Sequence, residues 1–133
     1  MFIENLISQP NEVEECINYL RKFENSQVPP IILYGTNTPA LIITNILKKN
    51  GFAVSAYFAS DEYLNDPLHK VSNVISYQNV LETYKEFILI VASSSVVEIV
   101  KRKDIFTNNK QILRTFIWDN SFDLQTSILI ILN

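Results

Sequence analysis

The heptapeptide Tyr34-Gly35-Thr36-Asn37-Thr38-Pro39-Ala40 holds the residues whose spacing comes nearest to a chemistry. Gly35, Asn37 and Ala40 fall at the three positions of G-x-G-x-x-G/A. In that pattern the first glycine makes a tight turn, the second lets the backbone approach a pyrophosphate, and the third allows close packing of helix on strand. Gly35 and Ala40 suit their positions. Asn37 supports the turn, because asparagine tolerates a left-handed backbone, but its side chain stands where the phosphate approaches most closely. Pro39 removes one of the N–H groups that face an anion at a helix N-terminus. Gly35, Thr36, Asn37 and Thr38 are therefore candidates for contact with a nucleotide, through a grip that differs from an ordinary NAD-binding turn.

Two further stretches carry polar groups that such a site would use. Ser60 and Asp61 follow the apolar run 52–59, where a dinucleotide site wants an acid for the ribose hydroxyls; Asp61 lies just beyond that place, and a solvated loop acid is the better account of it. Ser93, Ser94 and Ser95 precede a helical pattern, where hydroxyls and free N–H groups can bind phosphate or carboxylate, and where N-capping alone also accounts for serine. No G-x-S-x-G elbow, Walker A loop, C-x-x-C or H-E-x-x-H occurs. His69, in a polar stretch beside Lys70, reads as an exposed histidine rather than a catalytic one. No acid, base or nucleophile stands out, and no cofactor is identified.

The elements that must carry these residues alternate along the chain. Val13, Cys16, Ile17, Leu20 and Phe23 lie on one helical face, predicting an amphipathic helix over 10–24 opened by Pro10 and an Asn11/Glu14 capping pair. Residues 31–34 are apolar throughout, as a strand covered on both faces requires. Thr38 as N-cap, Pro39 in the first turn and Gly51 as stop bound a helix between them. A strand over 52–59 follows, then a polar loop, a short strand near 74–77, a helix near 79–85, and the buried strand 87–92. A helix over 96–103 has Ser95 and Glu98 as a capping box, and 113–118 is a further strand. This alternation predicts an α/β, Rossmann-like three-layer sandwich with a mostly parallel sheet and helices on both faces. The run 127–132 lies too close to the preceding strand for a parallel crossover and reads as an antiparallel edge strand or the start of a helix.

The 133 residues suit one domain: an N-terminal helical segment over 1–28, core βα units over 31–118, and a C-terminal edge strand over 119–133. Hydrophobic residues make up 47% and charged residues 19%, a globular balance. A net charge of -3 argues against a nucleic-acid partner, and the basic run Lys101, Arg102, Lys103 suits the negative end of a helix dipole. The single Cys16 falls on the apolar helix face, predicting a buried structural thiol and fitting a reducing cytoplasm. No run approaches the about 18 apolar residues of a membrane span, and the N-terminus lacks the pattern of a signal peptide. A cytoplasmic location is expected.

The stretches "IILYGTNTPALIITNILKKNGFAVSAYFASDE" and "VISYQNVLETYKEFILIVASSSVVEIVKRK" resemble the Rossmann-like domain that precedes FkbM-type methyltransferases. They are similar as well to the nucleotide-sugar-binding N-terminal domain of PglD-type sugar acyltransferases. Those domains show a Y-G-A-G turn, a helix ending in glycine, a second strand ending in an I-D-D-N-like run, and a later I-A-S-S strand end. Tyr34 and Gly35 match the first, Gly51 the second, and Ala92, Ser93 and Ser94 the last; Asn37, Pro39 and Ala59 depart from the pattern. The resemblance spans 31–118. It implies a nucleotide or nucleotide-sugar ligand, with catalysis belonging to a separate partner protein or domain.

Three functions follow as expectations. The first is a non-catalytic binding module for a nucleotide or nucleotide sugar, associated with glycan or methyltransferase chemistry. The second is a ligand-free interaction or oligomerisation domain, such as a homodimer. The third is a small NAD(P)-dependent oxidoreductase or a transferase.

Overall fold

A computed structural model of the chain describes residues 12–23, 26–59, 69–92 and 109–117. Its elements, in chain order, are α1 (Glu12–Arg21), β1 (Ile31–Tyr34), α2 (Thr38–Lys49), β2 (Ala56–Phe58), β3 (Val74–Ile75), α3 (Tyr77–Thr83), β4 (Phe87–Val91) and β5 (Ile112–Ile117). The five strands form one parallel sheet in the order β3-β2-β1-β4-β5, the order of a Rossmann-like α/β sandwich.

Apolar runs become the central strands because both faces of a parallel sheet are covered. Every residue of β1 and β4 is buried. Alternate side chains then serve different layers. Ile31, Leu33, Ile88 and Ile90 join Val13, Cys16, Ile17 and Leu20 of α1 and Ala40, Ile43, Ile46 and Leu47 of α2 in one core. Ile32, Tyr34, Phe87, Leu89 and Val91 join Val80 of α3 in the other. Burying each such aliphatic side chain stabilises the fold by about 1.5–3 kcal/mol before the entropy of ordering is counted. Cys16 is fully buried, as the helical periodicity requires.

Hydroxyls and rings tie the layers together. Thr44 Oγ1 of α2 lies 2.8 Å from Tyr57 Oη of β2. Tyr19 of α1 packs on Phe116 of β5 with ring centroids 5.6 Å apart, and the Arg114 guanidinium sits over both rings. On the opposite face Phe58 stacks on Tyr77 at 4.9 Å. Burial pushes the Tyr77 phenol above its ordinary range, against a smaller lowering by the hydrogen bond that Asn109 Nδ2 donates to it. Between β4 and β5 the register slips at Phe87/Ile88, where Ile112 pairs with Phe87 and Arg114 with Ile88. The extra residue, Leu113, is left exposed.

Several boundaries differ from those expected. The second strand is shorter than 52–59, because Phe52 closes the end of α2 before Ala56 enters the sheet. Tyr77 begins α3 instead of ending β3: Ser76, in extended conformation, is the N-cap and accepts from the Asn79 N–H at 3.1 Å. α2 is capped by Asn37 rather than Thr38. Asn37 keeps extended dihedrals and its carbonyl accepts the Leu41 N–H, so helical geometry starts with Thr38 itself. The Asn11 half of the first capping pair, the helix over 96–103 with its Ser95/Glu98 box, the Lys101–Arg102–Lys103 run and the edge strand over 119–133 lie outside the described residues.

Candidate functional site

Strand order reverses at β1. From β1 the chain steps outward through β2 and β3, then returns to β4 on the other side. In doubly wound sheets ligands bind beyond the C-terminal ends of the strands at such a switch point. Here that edge is formed by the turn after β1 and the end of β4.

Gly35 is held from both neighbours of β1. Its N–H donates to the Phe58 carbonyl at 2.8 Å, while the Tyr34 carbonyl accepts the Ala92 N–H at 2.8 Å. The ladder with β2 thus runs one residue past β1, and the ladder with β4 one residue past β4. The Gly35 backbone has φ +127°, and a Cβ added there would stand 2.5 Å from the Ala92 carbonyl oxygen. Glycine is required here by conformation and by space at once. Ala40, at the third position of the pattern, is fully buried among the strand residues of its face, so its small side chain performs the close helix-on-strand packing that the position demands.

Thr36 turns inward. It is 5% exposed and is the sole polar residue in the buried class among the described residues. Its Oγ1 lies 2.7 Å from His69 Nδ1, and its carbonyl accepts the Lys70 N–H at 2.8 Å. The pair has the separation of a nucleophile and its general base. The hydroxyl is almost wholly covered, and the contact joins two segments distant in sequence. His69 is half-buried and bonded, which corrects the expectation of an exposed loop histidine. Spacing gave no signal for this pairing, since the partners are 33 residues apart and a single histidine carries no pattern. The one available hint was a threonine between a turn glycine and a helix start, a place where a hydroxyl must find a partner if the turn folds inward.

Asn37 and Thr38 point the other way. Both are exposed, and the Asn37 side chain makes no hydrogen bond to the start of α2. The first turn of α2 carries no acidic residue. The Thr38 and Ala40 N–H groups belong to that turn, where a helix offers them no internal acceptor, and Pro39 between them has none to offer. Of the nine expected ligand-binding residues, the structure thus brings Gly35, Thr36, Asn37 and Thr38 to the switch-point edge. Ser60, Asp61, Ser93, Ser94 and Ser95 lie outside the described residues. Ala59 and Ala92, which precede them in the chain, are buried at the ends of β2 and β4.

Among the described residues no group of three or more His, Cys, Asp or Glu side chains could hold a metal ion, and no helix is long and apolar enough to cross a membrane. No family model, characterised protein or solved structure matches the chain.

Proposed function

We propose that this domain is a non-catalytic binding module for a nucleotide or nucleotide sugar, held at the C-terminal edge of β1 and β4. The observation that carries the reading is the reversal of strand order at β1, with a glycine turn at that point and the exposed side chains of Asn37 and Thr38 beside it. The similarity of the Tyr34–Gly35 turn and the Ala92–Ser93–Ser94 strand end to FkbM- and PglD-type domains supports the same ligand class. In this proposal Ser60, Asp61 and Ser93 to Ser95 complete the edge, and the chemistry is performed by a partner protein with glycan or methyl-transfer activity. The described edge offers the Asn37 amide, the Thr38 hydroxyl and backbone N–H groups, which suit recognition better than reaction.

A second reading has its own support. The Ala92 carbonyl alone accounts for Gly35, with no need of a phosphate, as in a Rossmann-like domain that has become a ligand-free interaction or oligomerisation unit. Use as an NAD(P)-dependent oxidoreductase has less behind it, because Asn37 occupies the position at which a pyrophosphate requires glycine.

Thermal unfolding of the full chain with UDP-sugars, NAD(P)H or S-adenosylmethionine separates these readings. A ligand that binds only the folded state stabilises it by RT ln(1 + [L]/Kd), about 2.7 kcal/mol at a hundredfold excess over Kd. The binding module predicts a transition that climbs with UDP-sugar concentration. An unmoved transition at millimolar ligand, together with a dimer that forms as protein concentration rises, would establish the interaction domain instead.

A further inference from the structure

We infer that Thr36 is a positioning residue, which clamps the β1–α2 turn to the segment entering β3 and leaves Asn37 and Thr38 as the side chains of the turn that face a ligand. The ligand side of this assignment rests on the binding reading above; the clamp itself is measurable without any ligand.

Two polar groups of Thr36 reach two adjacent residues. The side-chain oxygen meets the His69 imidazole at 2.7 Å, and the carbonyl takes the Lys70 N–H at 2.8 Å. A two-point contact of side chain and main chain resists both sliding and rotation, whereas a single hydrogen bond resists neither well. The adjacent Gly35 is fixed from the other directions, by its own N–H on Phe58 and by the Ala92 carbonyl that fills its Cβ position. The turn is therefore anchored to β2, to β4 and to the approach of β3. With the Thr36 hydroxyl and carbonyl committed inward, the outward surface of the turn passes to Asn37 and Thr38.

The contact can form with either tautomer of the His69 ring: the Thr36 hydroxyl donates to a bare Nδ1, or an Nδ1–H donates to Oγ1. It behaves as a fixed joint between two loops that are distant in sequence.

Amide hydrogen exchange followed by NMR on the ligand-free full chain tests this directly. In Thr36→Val the Lys70 amide should exchange roughly tenfold faster, the loss expected when one hydrogen bond of a joint goes, while the Gly51 and Phe52 amides, which open locally at the far end of α2 without breaking the clamp, keep their protection. Thr36→Ser, which restores the hydroxyl, should restore slow exchange at Lys70. His69→Ala alters only the half-buried partner and should give the same local signature even if Thr36→Val folds poorly. Unchanged exchange at Lys70 in these variants, or an equal rise at Gly51 and Phe52, would overturn the clamp. A second arm uses UDP-sugar as the probe. Asn37→Ala should abolish its thermal shift and leave Lys70 exchange as in the wild type; an undiminished shift would remove Asn37 from the site. A wild-type chain that shows no shift at all refutes the binding reading, with the clamp still decided by exchange.

Discussion

The two ends of α2 look alike in sequence and differ in what holds them. Each is bordered by one of the two glycines in the chain, and each glycine has positive φ, +127° at Gly35 and +89° at Gly51. At the C-terminal end the Gly51 N–H donates to the Lys48 carbonyl and the Phe52 N–H to the Leu47 carbonyl, the paired bonds of a Schellman closure. Lys48 and Lys49 place positive charge at the negative end of the helix dipole. Every one of those features is local. At the N-terminal end the partners are Phe58, Ala92, His69 and Lys70, all distant in sequence, and the N-cap makes no side-chain bond. One end is a turn that a short peptide could encode; the other exists only when the sheet has assembled.

The largest effect expected from this contrast is at Gly35. Gly35→Ala must accommodate both the left-handed backbone and a Cβ placed 2.5 Å from the Ala92 carbonyl oxygen. Strained backbone and overpacking each cost about 1–3 kcal/mol, so roughly 3 kcal/mol or more should be lost in a urea titration. Because the nearest atom belongs to the backbone, Ala92→Gly should not rescue the variant. Recovery in the double mutant would show that the side chain of Ala92, 3.4 Å away, is the true obstacle.

Thr36→Val comes next. The substitution keeps shape and burial while removing the hydroxyl that meets His69, leaving a half-buried ring nitrogen without that partner. A loss of about 2 kcal/mol is expected, within the range for an unsatisfied buried polar group. If the urea midpoint moves by no more than in an exposed-site control, the N-terminal end is held by Gly35 and the ladders alone.

The same contrast explains what could be read from the sequence. The α1 face, the uniformly apolar β1 and β4, and the Gly51 stop were all legible, because each is determined by periodicity or by a turn residue acting on its immediate neighbours. Asn37 as the cap of α2 and Tyr77 as the first residue of α3 were misplaced by a residue or two, since asparagine, threonine and serine all suit helix starts and only the surrounding backbone selects among neighbouring positions. At the candidate site Gly35 and Ala40 were identified for reasons the structure upholds. The inward turn of Thr36 onto His69 was not legible, because a tertiary hydrogen bond between unpatterned residues leaves no trace in spacing.

Gly51→Ala should cost less than either change at the other end. Nothing lies within 4 Å of the Cβ it would add, so only the left-handed backbone is penalised, by about 1 kcal/mol. The difference between Gly35→Ala and Gly51→Ala then measures the overlap with Ala92. Equal losses in parallel urea titrations would mean that β1 and β4 separate enough to admit a methyl group, and that the switch-point edge is looser than its hydrogen bonds imply.

Arg21→Ala is the smallest and the sharpest check on the local character of the C-terminal end. A side-chain tie from α1 to that end is the bond that Arg21 Nη2 donates to Asn50 Oδ1 at 3.0 Å, on the exposed surface. Asn50 is independently held by its own Nδ2, which donates to the Ile46 carbonyl at 2.8 Å, and its N–H already caps the helix. Removing an exposed long side chain from such a contact should change stability by less than about 0.5 kcal/mol, because solvent replaces the bond and the side chain regains its rotamers. A loss as large as that of Thr36→Val would show that α1 closes α2 as firmly as the sheet edge does. Both ends of α2 would then be tertiary constructions, and Gly51 would owe its stability to α1 as well as to its own turn.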